Sequence, residues 1–187
     1  MPENLFADHD VDTAPAAARR SMEATVKHLG YLPAPVRRLA TSPHLLDGFL
    51  KINTIFESST LDPLAREVLV LTMATRNACH VCVAMHTARL NAMGADAGLI
   101  TALREQRALD DPRLEAVRLF TLEVLRTTGA VGDSAMRSFL DQGFTPQNAL
   151  EVVLGIGVYT MSTLANRMTQ APTDERLLPF AWHQQPA

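Results

Sequence analysis

The stretch Asn77-Ala-Cys-His-Val-Cys-Val-Ala-Met-His86 holds both cysteines of the 187-residue chain, with a histidine four residues after the second. On a helix, positions 79, 82 and 86 fall within an arc of roughly 60°, so Cys79, Cys82 and His86 share one face. Residues three apart on a helix have Cα atoms about 5 Å from each other, within the reach of a disulfide. His86 stands one turn after Cys82 and is spaced to take its proton, and the thiolate is the nucleophilic form of cysteine. If Asn77 caps this helix, Cys79 lies in its first turn, where free N–H groups and the helix dipole favour a thiolate.

An acid completes the set. Glu67 lies twelve residues before Cys79 and shares a helical stripe with Leu64, Leu71 and Ala74. A carboxylate in apolar surroundings needs a partner or a raised pKa, and either suits it to passing protons near neutrality. The plainer reading is a surface glutamate paired with Arg66 or Arg76. The Cys-x-x-Cys itself admits three readings. Zinc could use both thiols and His86, but it normally wants a fourth ligand, which only Glu67 or His80 could supply. Two buried cysteines can also be inert small hydrophobes. A redox pair is the third reading and carries the most weight.

The elements around the motif read as helices almost throughout. Pro15 opens a helix that Gly30 stops, and a short one follows over 35–40. Ser42-Pro43, Asp62-Pro63, Asp111-Pro112 and Thr145-Pro146 each combine a capping side chain with a first-turn proline. The segment 68–74 is apolar on every side and predicts a central helix. Asn77 is expected to cap a helix over 78–93, ended by Gly94. Further helices are expected over 96–107 and 134–142, the latter capped by Asp133, and the longest over 146–168. No stretch alternates with period two, so the fold class is all-α, with about seven to eight helices in one domain over 14–170. Residues 1–13 read as a loosely held arm and 171–187 as an extended tail. Asp62–Thr72 and Asp111–Thr121 resemble each other, either as a duplicated helical unit or as two capped helices alike by necessity. Gly155 and Gly157 either permit close packing of the long helix or are tolerated in it. Tyr159 is a candidate pocket residue, and the methionines, Met73 and Met85 among them, read as core filling.

Composition narrows the class of function. Net charge is −3 with acids and bases interspersed, which leaves no footprint for nucleic acid or an anionic membrane surface. The acidic start is unlike a secretory signal, and no apolar run approaches the roughly 20 residues that span a bilayer. Two cysteines without an export signal suit redox or metal chemistry in a reducing compartment, hence the cytoplasm.

The spacing Glu67, eleven residues, Cys-x-x-Cys, three residues, His86 resembles the alkylhydroperoxidase D family, within the carboxymuconolactone decarboxylase superfamily. The resemblance is strongest over 61–94 and looser through 111–121 and 143–168. It implies an all-helical fold, a homo-oligomer such as a trimer or hexamer, and a thiol peroxidase or disulfide reductase activity. It implies Cys82 as the peroxide-attacking thiol, Cys79 as the resolving thiol, and Glu67 and His86 as the proton relay. No cofactor is implied beyond the Cys79–Cys82 disulfide, which an external dithiol, a lipoyl group or a peroxiredoxin partner, would reduce. The alternatives are a dithiol–disulfide oxidoreductase acting on a protein or lipoyl partner, and a metal- or ligand-binding helical module. The superfamily's decarboxylase branch uses a histidine-rich motif with a tryptophan; the single tryptophan here, Trp182, lies in the tail. His80 lies off the cysteine face and reads as structural.

Overall fold

The computed structural model describes residues 5–183, and the outermost residues of the expected arm and tail, 1–4 and 184–187, lie outside the described residues. Nine α-helices and one 3₁₀ helix make up the described chain, with no strand among the described residues. They are α1 (Ala16–Leu29), α2 (Ala34–Leu39), α3 (Pro43–Glu57), α4 (Pro63–Arg76), α5 (His80–Ala92), α6 (Ala97–Arg104), α7 (Pro112–Thr127), α8 (Asp133–Leu140) and α9 (Pro146–Met168), followed by the 3₁₀ helix Glu175–Phe180. The class is all-α, with more helices than the sequence count gives.

Local chemistry sets most boundaries. The side chains of Ser42, Asp62, Asp96 and Asp111 each accept a hydrogen bond from a backbone N–H of the first turn they precede. Thr145 and Asn148 form a reciprocal capping box at the start of α9. Asp133, expected as a cap, instead lies in the first turn of α8 after Gly132.

Helix α4 is the centre. Every residue from Ala65 to Thr75 is buried, and α5, α7 and α9 pack around it. Helix α9 crosses it at Gly155, where a Cβ would meet Phe56 at 2.7 Å and Leu69 at 2.9 Å, whereas Gly157 faces open space. By length and mean hydropathy α9 could cross a bilayer, although it holds no unbroken apolar run of that length. One of its faces is packed in the core, and Glu151 and Asn148 are buried on it. A second, smaller core joins α1, α2 and α3 to Ala165 of α9, and Phe49 touches both cores.

Both ends of the described chain are fastened down. Asp8 chelates the guanidinium of Arg38, Asp10 pairs with Arg37 at 2.9 Å, and Arg38 also donates to the Thr169 carbonyl at 2.8 Å. The segment after α9, expected as an extended tail, contains the 3₁₀ helix and packs against α5. The cause is apolar burial: Leu177 and Trp182 are buried, the Trp182 indole N–H donates to the Arg104 carbonyl, and Arg104 donates to the carbonyls of Phe180 and Ala181.

Candidate active site

The joint between α4 and α5 differs from its sequence reading and so changes the setting of the cysteines. Asn77 closes α4 instead of opening α5, Ala78 takes a left-handed conformation (φ 51°), and Cys79 becomes the N-cap of α5. A residue with a Cβ pays roughly 1–2 kcal/mol for that conformation, and neighbouring contacts hold it. The Asn77 amide donates to Thr163 Oγ1 and Arg167 donates to the Asn77 carbonyl, each at 2.8 Å, while the Cys79 N–H donates to the Ala74 carbonyl at 2.9 Å. Sequence capping rules see Asn77 before an apolar run. They do not see that α9 holds it for another purpose.

The two thiols are free, buried and hydrogen-bonded to each other, with sulfurs 2.8 Å apart. They titrate as a pair. The bond from Cys82 holds the Cys79 thiol below its ordinary value against the effect of burial. The bond to Cys79, burial and the Cys79 charge together push Cys82 well up. These directions make Cys79 the more acidic thiol of the pair. Access runs the other way: Cys82 lines a chamber of about 950 Å³, and Cys79 lies behind it.

His86, one turn on from Cys82, lines the same chamber and is itself 6% exposed. Its Nδ1 is 2.8 Å from Glu67 Oε2. A ring nitrogen bonded to a carboxylate carries its hydrogen there, which leaves Nε2 as the acceptor. Glu67 is 1% exposed, and its other oxygen forms an ion pair with Arg89, 3.0 Å from Nε. Its partners are thus His86 and Arg89, rather than Arg66 or Arg76. All four predicted site residues, Glu67, Cys79, Cys82 and His86, come together in one place.

Four further residues, Asn166, Ser162, Glu57 and Arg89, belong to this site and were not predicted as site residues. On α9, the Asn166 amide donates to Cys82 Sγ at 3.3 Å, and Ser162 Oγ lies 4.0 Å from the same sulfur. On α3, Glu57 takes both terminal nitrogens of Arg89, at 2.8 and 2.6 Å. Burial pushes the Glu57 carboxyl up, and Arg89 more than offsets this and holds it below its ordinary value. Tyr159, suspected from its type alone, does line the chamber. Its ring stands edge-on to His86 at 5.2 Å and its hydroxyl donates to Asn53 Oδ1 at 3.2 Å. Burial first, then the charges of Glu67 and Glu57, push that hydroxyl well above its ordinary value, so it stays protonated. A signal for the α9 residues was present: Tyr159, Ser162 and Asn166 are polar at positions i, i+3 and i+7, on one face of the helix. Arg89 likewise follows His86 by three.

Of the other candidates, His80 is exposed at the start of α5, away from the chamber. Among the described residues, no three His, Cys, Asp or Glu side chains converge as a metal site. Met85 lines the chamber, while Met73 fills core.

Residues 43–120 match the carboxymuconolactone decarboxylase family. No curated protein matches the chain. Among solved structures, it is similar to the alkylhydroperoxidase AhpD core of an uncharacterized peroxidase-related protein from Ralstonia eutropha JMP134, with TM-score 0.82, 18% identity and 95% of each chain covered. It is also similar to an uncharacterized peroxidase-related protein from Silicibacter sp. TM1040, with TM-score 0.76, 18% identity, and 95% of this chain and 96% of that one covered. A third similar structure is the debrominase Bmp8 bound to 2,3,4-tribromopyrrole, with TM-score 0.77, 11% identity and 96% of each chain covered. At these identities the likeness concerns the fold.

Proposed function

We propose, from the match of residues 43–120 to the carboxymuconolactone decarboxylase family and from the alkylhydroperoxidase D-like fold, that this chain is a thiol-dependent peroxidase reducing organic hydroperoxides. The observation that carries this reading is the placement of Cys82. It faces the chamber with the His86–Glu67 pair one turn away and the Cys79 sulfur 2.8 Å off.

In the cycle, a hydroperoxide ROOH enters the chamber, His86 Nε2 draws the proton from Cys82, and Glu67 stabilises the imidazolium that forms. The Cys82 thiolate attacks the terminal oxygen, the O–O bond breaks, and the leaving alkoxide takes a proton to depart as ROH. Cys82 is then a sulfenic acid. Cys79, held as the more acidic thiol, attacks that sulfur, water leaves and the disulfide closes. An external dithiol gives two electrons and two protons to restore both thiols and departs as its own disulfide. The sum is ROOH plus dithiol to ROH, water and a disulfide. Asn166 N–H stabilises the Cys82 thiolate as it forms. A dithiol cycle requires a reducing compartment such as the cytoplasm.

The chamber's size supports an organic substrate, since a water-sized oxidant fills about 30 Å³ and the chamber holds about 950 Å³. Its walls include Leu29, Pro33, Val36, Phe49 and Leu50. The same volume would also admit a second electrophile class, a halogenated ring, as acted on by the debrominase of similar fold. There the dithiol would replace carbon–bromine by carbon–hydrogen, with release of bromide and a proton and closure of the disulfide. Bromide release from a bromopyrrole, measured with an ion electrode, would identify it.

The subunits would assemble as homo-oligomers. An exposed apolar stripe on α9, with Leu150, Val153, Leu164 and Met168, supports that expectation.

The test is thiol titration of the reduced protein before and after one equivalent of cumene hydroperoxide. The proposal expects loss of two thiols with an intramolecular disulfide. Cys79→Ser should leave a trappable sulfenic acid on Cys82, and Cys82→Ser should abolish the reaction. Hydroperoxide consumption that survives both substitutions would sink the reading.

A further inference from the structure

Arg89 has no part in the cycle as written, yet it is the most heavily engaged side chain around the relay. Its Nε edge meets Glu67 Oε1 at 3.0 Å, and its terminal nitrogens hold Glu57 Oε1 and Oε2 at 2.8 and 2.6 Å. The guanidinium is therefore fixed from two sides, by α4 and by α3. It lines the chamber beside His86. A carboxylate 1% exposed, such as Glu67, is costly to hold without compensation.

The charges facing His86 can be counted by element. Helix α4 brings Glu67 and, through Glu57, Arg66 at 3.9 Å. Helix α3 brings Glu57, and α5 brings Arg89 and the Cys82 thiol. Helix α9 brings the protonated Tyr159. Lys51 of α3 and His28 of α1 line the same chamber. Two carboxylates meet two guanidiniums, so the inner cluster is neutral when His86 is neutral. Without Arg89, both carboxylates would face His86 with only Arg66 against them, and an imidazolium would become the nearest compensating charge. A protonated His86 cannot accept the Cys82 proton.

We infer that Arg89 is a positioning residue that keeps His86 neutral and ready to act as base, by neutralising Glu67 from the side opposite the imidazole. This rests on the proton relay proposed above, and it concerns how that relay is set. Glu57 is the counterweight. By holding the guanidinium, it limits how far the Arg89 charge acts on Glu67 and His86. Loss of Arg89 and loss of Glu57 therefore have opposite effects on the pH at which the relay works.

The experiment is the pH dependence of two rates on the reduced full-length protein: alkylation of Cys82 by iodoacetamide in a Cys79→Ser background, and single-turnover oxidation by cumene hydroperoxide. In Arg89→Gln, the acid limb of both profiles should move up by about one pH unit or more, the size expected when an opposite charge within a few ångströms is removed. The plateau above the limb should be retained. Arg89→Lys should leave the limb close to that of the unsubstituted protein, and Glu57→Gln should move it down. A uniform rate loss in Arg89→Gln with the limb in place would show a structural role only and overturn the inference. So would limbs that move the same way in Arg89→Gln and Glu57→Gln. If Arg89→Gln does not fold, Arg89→Lys and Glu57→Gln decide it by the same criteria. A protein that alkylates with these shifts but does not react with hydroperoxide would overturn the peroxidase reading and leave the role of Arg89 standing.

Discussion

Glu67 and Glu151 are both buried carboxylates on core helices, and their partners differ in kind. Glu151, on α9, accepts hydrogen bonds from Thr60 N and Oγ1, Leu61 N, Gln147 Nε2 and Asn148 Nδ2, all between 2.8 and 3.1 Å. None of these donors gives up its proton near neutrality. Burial pushes the Glu151 carboxyl up, and the donors of Thr60 and its neighbours more than offset this and hold it below its ordinary value. It is a fixed anion that pins the chain as it enters α4. Glu67, four residues into that helix from Pro63, has instead a titratable imidazole and a guanidinium as partners, and its imidazole opens on a chamber. Burial alone does not make a carboxylate a proton carrier. In the proposed cycle, Glu67 would act as one because its partner can exchange a proton and opens on a substrate space.

The two glutamates should separate cleanly under substitution. Glu67→Gln is expected to lower hydroperoxide consumption by about 10²-fold or more, the usual worth of general base catalysis, as measured by stopped flow at pH 7. Equal losses in Glu67→Gln and Glu151→Gln would erase the distinction. Glu151→Gln is expected instead to cost about 2 kcal/mol of stability, the scale of hydrogen bonds to a buried charge, read as a lower urea midpoint with the rate per folded molecule unchanged.

The stability gap between the unsubstituted protein and Glu151→Gln should itself depend on pH. The folded Glu151 carboxyl lies below its unfolded value, so its stabilisation is complete above the unfolded value of about 4.3 and is lost as pH falls through the folded one. Urea titrations at neutral and acid pH should show the gap closing below about pH 4. A gap that widened there would reverse the sign.

The smallest effects lie between the two sites, on α9. Gly155→Ala would press on Phe56, whose ring stands edge-on to Tyr159 at 6.1 Å, and Tyr159 in turn borders His86. A cost of about 1 kcal/mol in stability is expected from overpacking, together with a measurable loss of rate. Gly157→Ala meets nothing and should stabilise α9 by up to about 1 kcal/mol without touching the rate.

Much of this was legible in the residues. Proline after Ser, Asp or Thr marks four helix starts because capping is a contact between neighbours in sequence. The shared face of Cys82 and His86 follows from helical periodicity alone, and an acid on the apolar stripe of α4 could be suspected for the same reason. The misreadings have a common cause. Asn77 looked like an N-cap by its neighbours, but Thr163 and Arg167, far along the chain, hold it at the end of α4. The segment after α9 looked extended because it contains three prolines, yet Trp182 finds the carbonyl of Arg104. Arg89 and Glu57 carry no short-range motif, since an ion pair thirty-two residues apart leaves no spacing to read.

Residue order thus determined an all-helical chain with the Cys82 thiol and the His86 imidazole on one helix face, because that feature depends on steps of three and four residues. Tertiary packing decided which thiol meets the chamber, which groups Glu67 answers to, and why Glu151 is silent. Those depend on what stands opposite each face. The partners of Glu67 come from α5, and those of Glu151 come from the loop before α4 and from its own helix, brought together when α5 and α9 close around α4.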